Sequence, residues 1–221
     1  MATDRFPIAT PAGEVSALLD VPARATAAYV FAHGAGAGME HAFMAKAAAM
    51  LASRDIATLR FNFPFTEAGS KRPDAPAAAQ ATVRAAVDEA RRRFPGIPLF
   101  AGGKSFGGRM TSAAQAQAPL ADVRGLVFFG FPLHPSGMPG TARADHLAKV
   151  TLPMLFLQGT RDALAEPALI AGVVATLQPR ARLVEIEGAD HGFAVLKRSG
   201  RDDAAVMAQL ADAASAWMRA T

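Results

Sequence analysis

The sequence feature that most constrains the fold is the glycine-rich stretch at residues 102–108, Gly-Gly-Lys-Ser-Phe-Gly-Gly. An apolar run at residues 97–101 leads into it, and residues 109–115 have the character of a helix. Ser105 stands at its centre, with a glycine two positions before it and another two positions after it. A very tight strand-to-helix turn brings these flanking positions into close contact, so only small residues fit there. The stretch therefore predicts a sharp turn that lifts the Ser105 hydroxyl clear of a sheet edge.

The spacing around Ser105 is that of a nucleophile elbow. A serine at this position lies at the N-terminus of a helix, where free N–H groups and the helix dipole favour developing negative charge. The alternative is a glycine-rich turn with an incidental serine, since so short a pattern is common by chance. The strand before it and the helix after it favour the catalytic interpretation.

Apolar runs typical of buried strands alternate with segments of helical spacing along the rest of the chain. Strands are predicted at residues 27–32, 56–61, 97–101, 123–131, 152–158 and 182–186. Helices are predicted at residues 41–53, 76–93, 109–117, 166–177 and 202–219. Two short strands at residues 5–9 and 14–20 flank a Pro-Ala-Gly turn and form an antiparallel edge. The alternation predicts an α/β fold with a mostly parallel central sheet and helices on both faces.

Length and composition narrow the class of protein. The 221 residues contain no repeat and no low-complexity linker, which predicts a single domain over residues 1–221. The absence of cysteine excludes disulfides, thiolate metal sites and a cysteine nucleophile, and no metal or other cofactor is expected.

Charge and hydropathy bear on partners and location. No long apolar segment follows the charged residues at 1–7, and the apolar run at 126–133 is too short to cross a bilayer. A cytoplasmic protein without membrane contact is therefore expected. The net charge is +4, but the basic residues are scattered apart from Arg91–Arg93 at a predicted helix end. Cations there complement the helix dipole, so no nucleic-acid partner is expected.

An acid and a histidine follow two later strands. Asp162 comes shortly after the strand at 152–158, and His191 comes shortly after the strand at 182–186. The order serine, acid, histidine accompanies a nucleophile elbow. A serine hydroxyl needs an imidazole to take its proton, and a carboxylate must hold that imidazole in the right tautomer.

Other interpretations of these residues stay open. Asp162 could cap a helix, and His191 could be a loop histidine in a turn. Glu187 and Asp190 are rival carboxylates, but a residue next to a histidine rarely reaches its Nδ1.

The glycine-rich loop at residues 33–38 supplies a further element. An oxyanion needs two backbone donors, and we expect them from Phe106 and from Ala35, with Gly36 as the alternative to Ala35. A phosphate-binding loop is the competing interpretation, but the loop lacks both the Lys-Ser/Thr ending of a P-loop and the dinucleotide spacing.

Four ordered phrases carry a resemblance that covers nearly the whole chain. They are His33-Gly34-Ala35-Gly36, the stretch Leu59 to Pro64, the stretch Gly103 to Arg109, and Gln158-Gly159-Thr160-Arg161-Asp162. The chain resembles the α/β-hydrolase superfamily, in particular a branch of small predicted hydrolases related to the dienelactone-hydrolase-like group. Dienelactone hydrolases themselves use a cysteine nucleophile, which this chain lacks.

The resemblance implies an α/β-hydrolase fold, a catalytic Ser105, Asp162 and His191, and Ala35 and Phe106 as oxyanion donors. Larger relatives insert a lid where this chain has the short segment 132–150, so no large lid domain is expected. Some eukaryotic relatives are better known as parts of protein assemblies.

A substrate class can be proposed from the residues near the strand ends. Aromatic residues there suggest an apolar acyl pocket, although capping of the core is the alternative. Its expected walls include Phe63, Phe65, Phe131, His134 and Phe193. The prediction is a carboxylesterase for small to medium acyl esters; an acyltransferase, a peptidase or a non-catalytic interaction module are the alternatives.

Three cations near the elbow complete the predictions. Lys104, Arg60 and Arg109 are expected to pair with carboxylates, the candidates being Asp74, Glu67 and Asp88. Attraction of an anionic substrate group is the alternative.

Overall fold

The chain folds around an eight-stranded sheet in the structure, a computed structural model that describes residues 2–221. The strands are β1 (Ala2–Thr10), β2 (Gly13–Val21), β3 (Ala27–Ala32), β4 (Ile56–Phe61), β5 (Leu99–Lys104), β6 (Val123–Phe129), β7 (Met154–Gly159) and β8 (Ala181–Ile186). They lie in the order β1-β2-β4-β3-β5-β6-β7-β8. β1 and β2 are antiparallel to their neighbours, and β3 to β8 are parallel. The predicted mostly parallel sheet with an antiparallel edge is confirmed.

Helices pack on both faces of the sheet, as predicted. They are α1 (Ala42–Ala52), α2 (Pro64–Glu67), α3 (Pro76–Arg93), α4 (Phe106–Gln117), α5 (Pro167–Thr176) and α6 (Asp203–Ala220). Side chains of α1 and α6 join one core layer, and side chains of α3, α4 and α5 join the other. The short helix α2 was not predicted; its four residues are too few to show a helical period.

Strand β3 shows why the apolar runs are continuous. All six of its residues are buried. Tyr29 and Phe31 belong to the layer with α1 and α6, whereas Val30 and Ala32 belong to the other layer. Because successive side chains point to opposite faces and both faces are covered, every position must be apolar.

Strand β5 runs farther than the sequence predicted. The predicted strand ends at residue 101, but Gly102 and Gly103 pair with both β3 and β6, and the strand continues to Lys104. A Cβ at Gly102 would lie 1.9 Å from the carbonyl oxygen of Val127. These glycines therefore serve close approach between strands, and it is their low strand propensity that misleads the sequence-based prediction.

The segment between β6 and β7 carries one 3₁₀ helix at Ala142–Lys149, and Leu147 and Val150 anchor it in the core. No separate lid domain is built from it in the described part of the chain. None of the helices within residues 2–221 has the length and apolar character that a membrane span requires.

Candidate active site

Ser105 occupies the turn between β5 and α4 in a strained conformation. Its φ is 50° and its ψ is −115°, a positive φ that residues with a side chain rarely adopt. A Cβ on Gly103 or on Gly107 would each lie 2.4 Å from the carbonyl oxygen of Ala32, on the neighbouring strand. A Cβ on Gly103 would also lie 2.9 Å from the carbonyl carbon of Gly107, so the predicted close contact between the two flanking positions is present, and the backbone of β3 adds a second steric limit.

A continuous hydrogen-bonded chain links the three predicted catalytic residues. His191 Nε2 lies 2.8 Å from Ser105 Oγ, and His191 Nδ1 lies 2.7 Å from Asp162 Oδ2. Asp162 is 2% exposed, so its carboxylate acts on the imidazole without competition from bulk water. This geometry lets the imidazole accept the serine proton at Nε2 while Nδ1–H donates to the carboxylate.

The Asp162 carboxylate is fixed from several sides. Oδ1 accepts a hydrogen bond from the backbone N–H of Leu164 (2.8 Å), and Oδ2 accepts one from Gln158 Nε2 (2.6 Å). The other end of the Gln158 amide accepts from the backbone N–H of Phe131 at 2.9 Å. The contact with Leu164 lies in a turn and not at a helix start, because α5 begins only at Pro167 with Glu166 as its N-cap, so the alternative that Asp162 caps a helix is wrong. Gln158 lay in a motif, but nothing in the sequence assigned it this position.

The loop after β8 holds His191 in place. Asp190 Oδ1 accepts from the backbone N–H groups of Gly192 (2.8 Å) and Ala194 (2.9 Å). This rival carboxylate is thus engaged in its own loop, while Asp162 contacts the imidazole. Lys104 Nζ donates to the backbone carbonyl of His191 at 2.6 Å, and burial lowers the pKa of Lys104 to about 8.

His33 organises the glycine-rich loop after β3, a role that sequence reasoning missed. This fully buried imidazole lies with Nδ1 2.8 Å from the Gly34 carbonyl oxygen and Nε2 3.1 Å from the Phe63 backbone nitrogen. Nδ1 therefore carries the proton and Nε2 accepts. Burial lowers the His33 pKa to about 4, so the imidazole is neutral near pH 7 and the loop is tied to the chain after β4.

Ala35 and Phe106, the predicted oxyanion donors, both lie close to Ser105. Both residues line a cavity that also reaches Ser105. The Phe106 ring packs edge-on against Phe63, with 5.3 Å between ring centroids. This contact packs the first turn of α4, next to Ser105, against the chain after β4.

Two cavities meet at Ser105. Cavity A, of about 310 Å³, is lined by Gly34, Ala35, Gly36, Ala37, His41, Phe43, Met44, Lys104, Ser105, Leu164, His191 and Gly192. Cavity B, of about 350 Å³, is lined by Ala35, Pro73, Asp74, Pro76, Ser105, Phe106, Arg109, Pro132, Arg143 and Leu164. Ser105 thus lies where two cavities of similar size adjoin.

The structure places the five expected wall residues elsewhere. Phe63, Phe65, Phe131, His134 and Phe193 are 0% to 4% exposed, and none of them lines cavity A or cavity B. The four phenylalanines cap the core, which was the alternative interpretation, and His134 is held by Glu166 and the Pro135 carbonyl. Their position beyond the strand ends was correct, but their side chains turn inward because that buries more apolar surface.

The expected ion pairs of the nearby cations are also corrected. Arg60 forms a buried pair with Asp20 (2.7 Å), not with any of the three predicted carboxylates. Asp20 lies on β2, which pairs with β4, and cross-strand neighbours of this kind are invisible until the register is known.

A second serine–histidine contact lies near the site. Ser112 Oγ is 2.7 Å from His146 Nε2. Ser112 is buried within α4, and it lines neither cavity A nor cavity B. This contact ties the 3₁₀ helix to α4.

Comparison with known proteins identifies the family. The profile of the alpha/beta hydrolase domain matches residues 25–219. The chain belongs to this α/β-hydrolase family. The hydrolase is similar in structure to an α/β serine hydrolase without a lid from Xanthomonas campestris (22% identity, 100% of this chain and 97% of that chain covered, TM-score 0.76). It is also similar to a dienelactone hydrolase from Anabaena variabilis (22% identity, 99% of this chain and 97% of that chain covered, TM-score 0.77). A third similar structure is the esterase domain of a Rhodothermus marinus protein (17% identity, 100% of this chain and 99% of that chain covered, TM-score 0.75). At these identities the structural likeness shows the fold, and the predicted α/β-hydrolase fold without a large lid domain is confirmed.

Metal-binding groups are a separate matter. Residues 2–221 contain no cluster of three or more His, Asp or Glu side chains arranged to hold a metal ion.

Proposed function

We propose that this hydrolase is a serine carboxylesterase that acts on small to medium acyl esters. The observation that carries the proposal is the unbroken chain from Ser105 Oγ through the His191 imidazole to the buried Asp162 carboxylate, at 2.8 and 2.7 Å. A non-catalytic interaction module does not require a strained serine with an aligned base, so selection for activity best accounts for this geometry.

The first half of the proposed reaction forms an acyl-enzyme. His191 Nε2 takes the proton from Ser105 Oγ as the oxygen attacks the ester carbonyl carbon. The carbonyl oxygen becomes an oxyanion that accepts hydrogen bonds from the backbone N–H groups of Ala35 and Phe106. The C–O bond to the alcohol then breaks, and the imidazolium gives its proton to the departing alkoxide.

The second half hydrolyses the acyl-enzyme. A water molecule gives a proton to His191 Nε2 and attacks the acyl carbon, and the same two backbone donors stabilise the second oxyanion. Collapse releases the carboxylic acid and returns the proton to Ser105 Oγ. Asp162 stays ionised and stabilises the imidazolium in both halves.

The size of the cavities supports the substrate class. Cavities of about 310 and 350 Å³ are at the lower end of the usual range for small-molecule sites, which suits short acyl and alcohol groups. The esterase domain from Rhodothermus marinus carries an activity of the proposed type on the same fold. We also propose that the substrate is a small-molecule ester and that neither nucleic acid nor a membrane is a partner. The proposed location is the cytoplasm.

The experiment that tests the proposal is intact-mass analysis after treatment with a fluorophosphonate. The expected result is one adduct on the wild type and on Ser112→Ala, and none on Ser105→Ala. Ser112→Ala is the matched control, because it removes the other serine that contacts a histidine. Hydrolysis of p-nitrophenyl esters from acetate to octanoate then tests the substrate class. A folded wild type that takes no adduct would contradict the proposal and favour the interaction module.

A further inference from the structure

Cavity B contains two arginines that no feature of the proposed hydrolysis explains. Arg109 lies on α4, one turn after Phe106, and Arg143 lies on the 3₁₀ helix. Both side chains line cavity B and are partly buried. Burial, followed by the charge of Arg143, lowers the pKa of Arg109. Two like charges are thus held near each other in a partly desolvated place, which is unfavourable unless an anion joins them.

Within the described part of the chain, no carboxylate lies close enough to either arginine to form an ion pair with it. Eight arginine–carboxylate ion pairs form within residues 2–221, and neither Arg109 nor Arg143 takes part in any of them. The guanidinium nitrogens of the pair form no hydrogen bond within residues 2–221, and no fully buried side-chain nitrogen in that range lacks a partner. These N–H groups are therefore open to the cavity or to solvent.

The surrounding titratable groups leave the cavity cationic. Asp74 is the carboxylate in its wall, and its Oδ2 already accepts from the backbone N–H of Phe65 at 3.1 Å. Asp145 is exposed and lies outside the lining. Burial, followed by the Arg109 charge, lowers the pKa of His146 to about 4, so this neighbour is neutral near pH 7.

The position of His191 indicates which half of an ester enters cavity B. His191 must protonate the departing alkoxide, so the alcohol half has to lie where the imidazole is, and His191 lines cavity A. His191 does not line cavity B; of the proposed oxyanion donors, Phe106 lines cavity B alone and Ala35 lines both cavities. The acyl chain therefore extends into cavity B, toward Arg109 and Arg143.

We infer that Arg109 and Arg143 form a carboxylate-binding subsite, and that the acyl chain of the substrate ends in a carboxylate. The inference rests on the proposed esterase function and specifies its substrate as a half-ester of a dicarboxylic acid. Guanidinium groups suit this recognition, since their planar donors match a carboxylate with two parallel hydrogen bonds.

The kinetic test compares mono-p-nitrophenyl adipate with p-nitrophenyl hexanoate, two esters of equal acyl length that differ in the terminal carboxylate. We expect the wild type to prefer the adipate ester in kcat/KM by about tenfold or more. Arg109→Gln and Arg143→Gln should each lower the ratio of the two kcat/KM values by about tenfold, and Arg143→Lys should lower it less. Lys149→Gln, which removes an exposed cation from the same 3₁₀ helix, should leave the ratio unchanged. Equal kcat/KM values for the two esters in the wild type would overturn the inference.

A binding measurement separates this inference from the proposed function. Calorimetric titration of Ser105→Ala with monomethyl adipate and with dimethyl adipate should show tighter binding of the anionic ligand, and Arg143→Gln in the same background should abolish the difference. Such binding without hydrolysis of either chromogenic ester would retain the anion subsite and reject the esterase. Hydrolysis of the hexanoate ester with equal binding of the two adipates would retain the esterase and reject the subsite.

Discussion

Gln158 Nε2 donates a 2.6 Å hydrogen bond to Asp162 Oδ2, the same oxygen that contacts the His191 imidazole. The Oε1 atom of the same amide accepts from the Phe131 backbone N–H. One buried side chain therefore orients the carboxylate of the site and also satisfies the strand-end backbone of β6. Partners of this kind fix the direction in which a carboxylate presents its oxygens, and they matter nearly as much as the carboxylate itself.

Replacement of Gln158 by methionine should impair both stability and activity. It leaves the Phe131 N–H without a partner and removes a donor from Asp162, so we expect a loss of about 1–3 kcal/mol in the free energy of unfolding. We also expect kcat/KM for p-nitrophenyl butyrate to fall about tenfold or more, because the carboxylate gains freedom to rotate. Urea denaturation and steady-state kinetics measure the two effects.

Gln115→Met is the matched control for this change. Gln115 is also buried, and its Oε1 accepts from the Leu120 backbone N–H at 2.7 Å, away from the triad. It should lose comparable stability without the loss of kcat/KM. Equal kinetic losses in the two variants would show that Gln158 acts only through stability.

The two candidate carboxylates can be separated by parallel substitutions. Asp162→Asn keeps the shape of the side chain but removes the charge that stabilises the imidazolium, so kcat should fall by roughly a thousandfold or more. Asp190→Asn alters only the loop contacts with Gly192 and Ala194, and kcat should fall less than about tenfold. Rates of p-nitrophenyl butyrate hydrolysis measure both. A larger loss for Asp190→Asn would reverse the assignment.

The sequence was sufficient for the fold and for the position of Ser105, Asp162 and His191 after the carboxyl ends of parallel strands, because these depend on local patterns. Continuous apolar runs indicate strands covered on both faces, and the bounds of β4 and α3 matched the prediction. The flanking glycines of Ser105 were also interpreted correctly, since the steric demand of the turn is local.

The directions of side chains and the pairing of residues across strands could not be predicted from the sequence. The phenylalanines after the strands were expected in the cleft, yet Phe63 and Phe131 are fully buried. Arg60 pairs with Asp20, which is forty positions away along the chain and adjacent only through the β2–β4 register. Arg143 went unnoticed because it lies in a segment without periodicity, and only the packing of the 3₁₀ helix brings it to cavity B.

The steric role of Gly107, two residues after Ser105, can be tested by comparison with Gly172 in helix α5. A Cβ at Gly107 would meet the Ala32 carbonyl oxygen at 2.4 Å, so Gly107→Ala should lower the free energy of unfolding by about 3 kcal/mol. Gly172 lies within α5, and a Cβ there would meet nothing within 4 Å. Gly172→Ala should therefore raise it by about 0.5–1 kcal/mol. Urea denaturation measures both, and a stable Gly107→Ala would contradict the proposed contact with β3.

The buried His33 should make the protein less stable in mild acid. The folded state lowers its pKa from 6.5 to about 4, so the unfolded chain binds the proton more readily between these values. The stability from the neutral imidazole is therefore complete above about pH 6.5 and is lost as the pH falls through about 4. His146, whose pKa is also lowered to about 4, adds to the same dependence.

Urea denaturation followed by Trp217 fluorescence should show the free energy of unfolding decreasing from about pH 7 to about pH 4. His33→Asn should be less stable at neutral pH but should lose less on acidification, since it has no imidazole to protonate. Parallel pH dependences for the variant and the wild type would show that the His33 imidazole does not resist protonation in the folded protein.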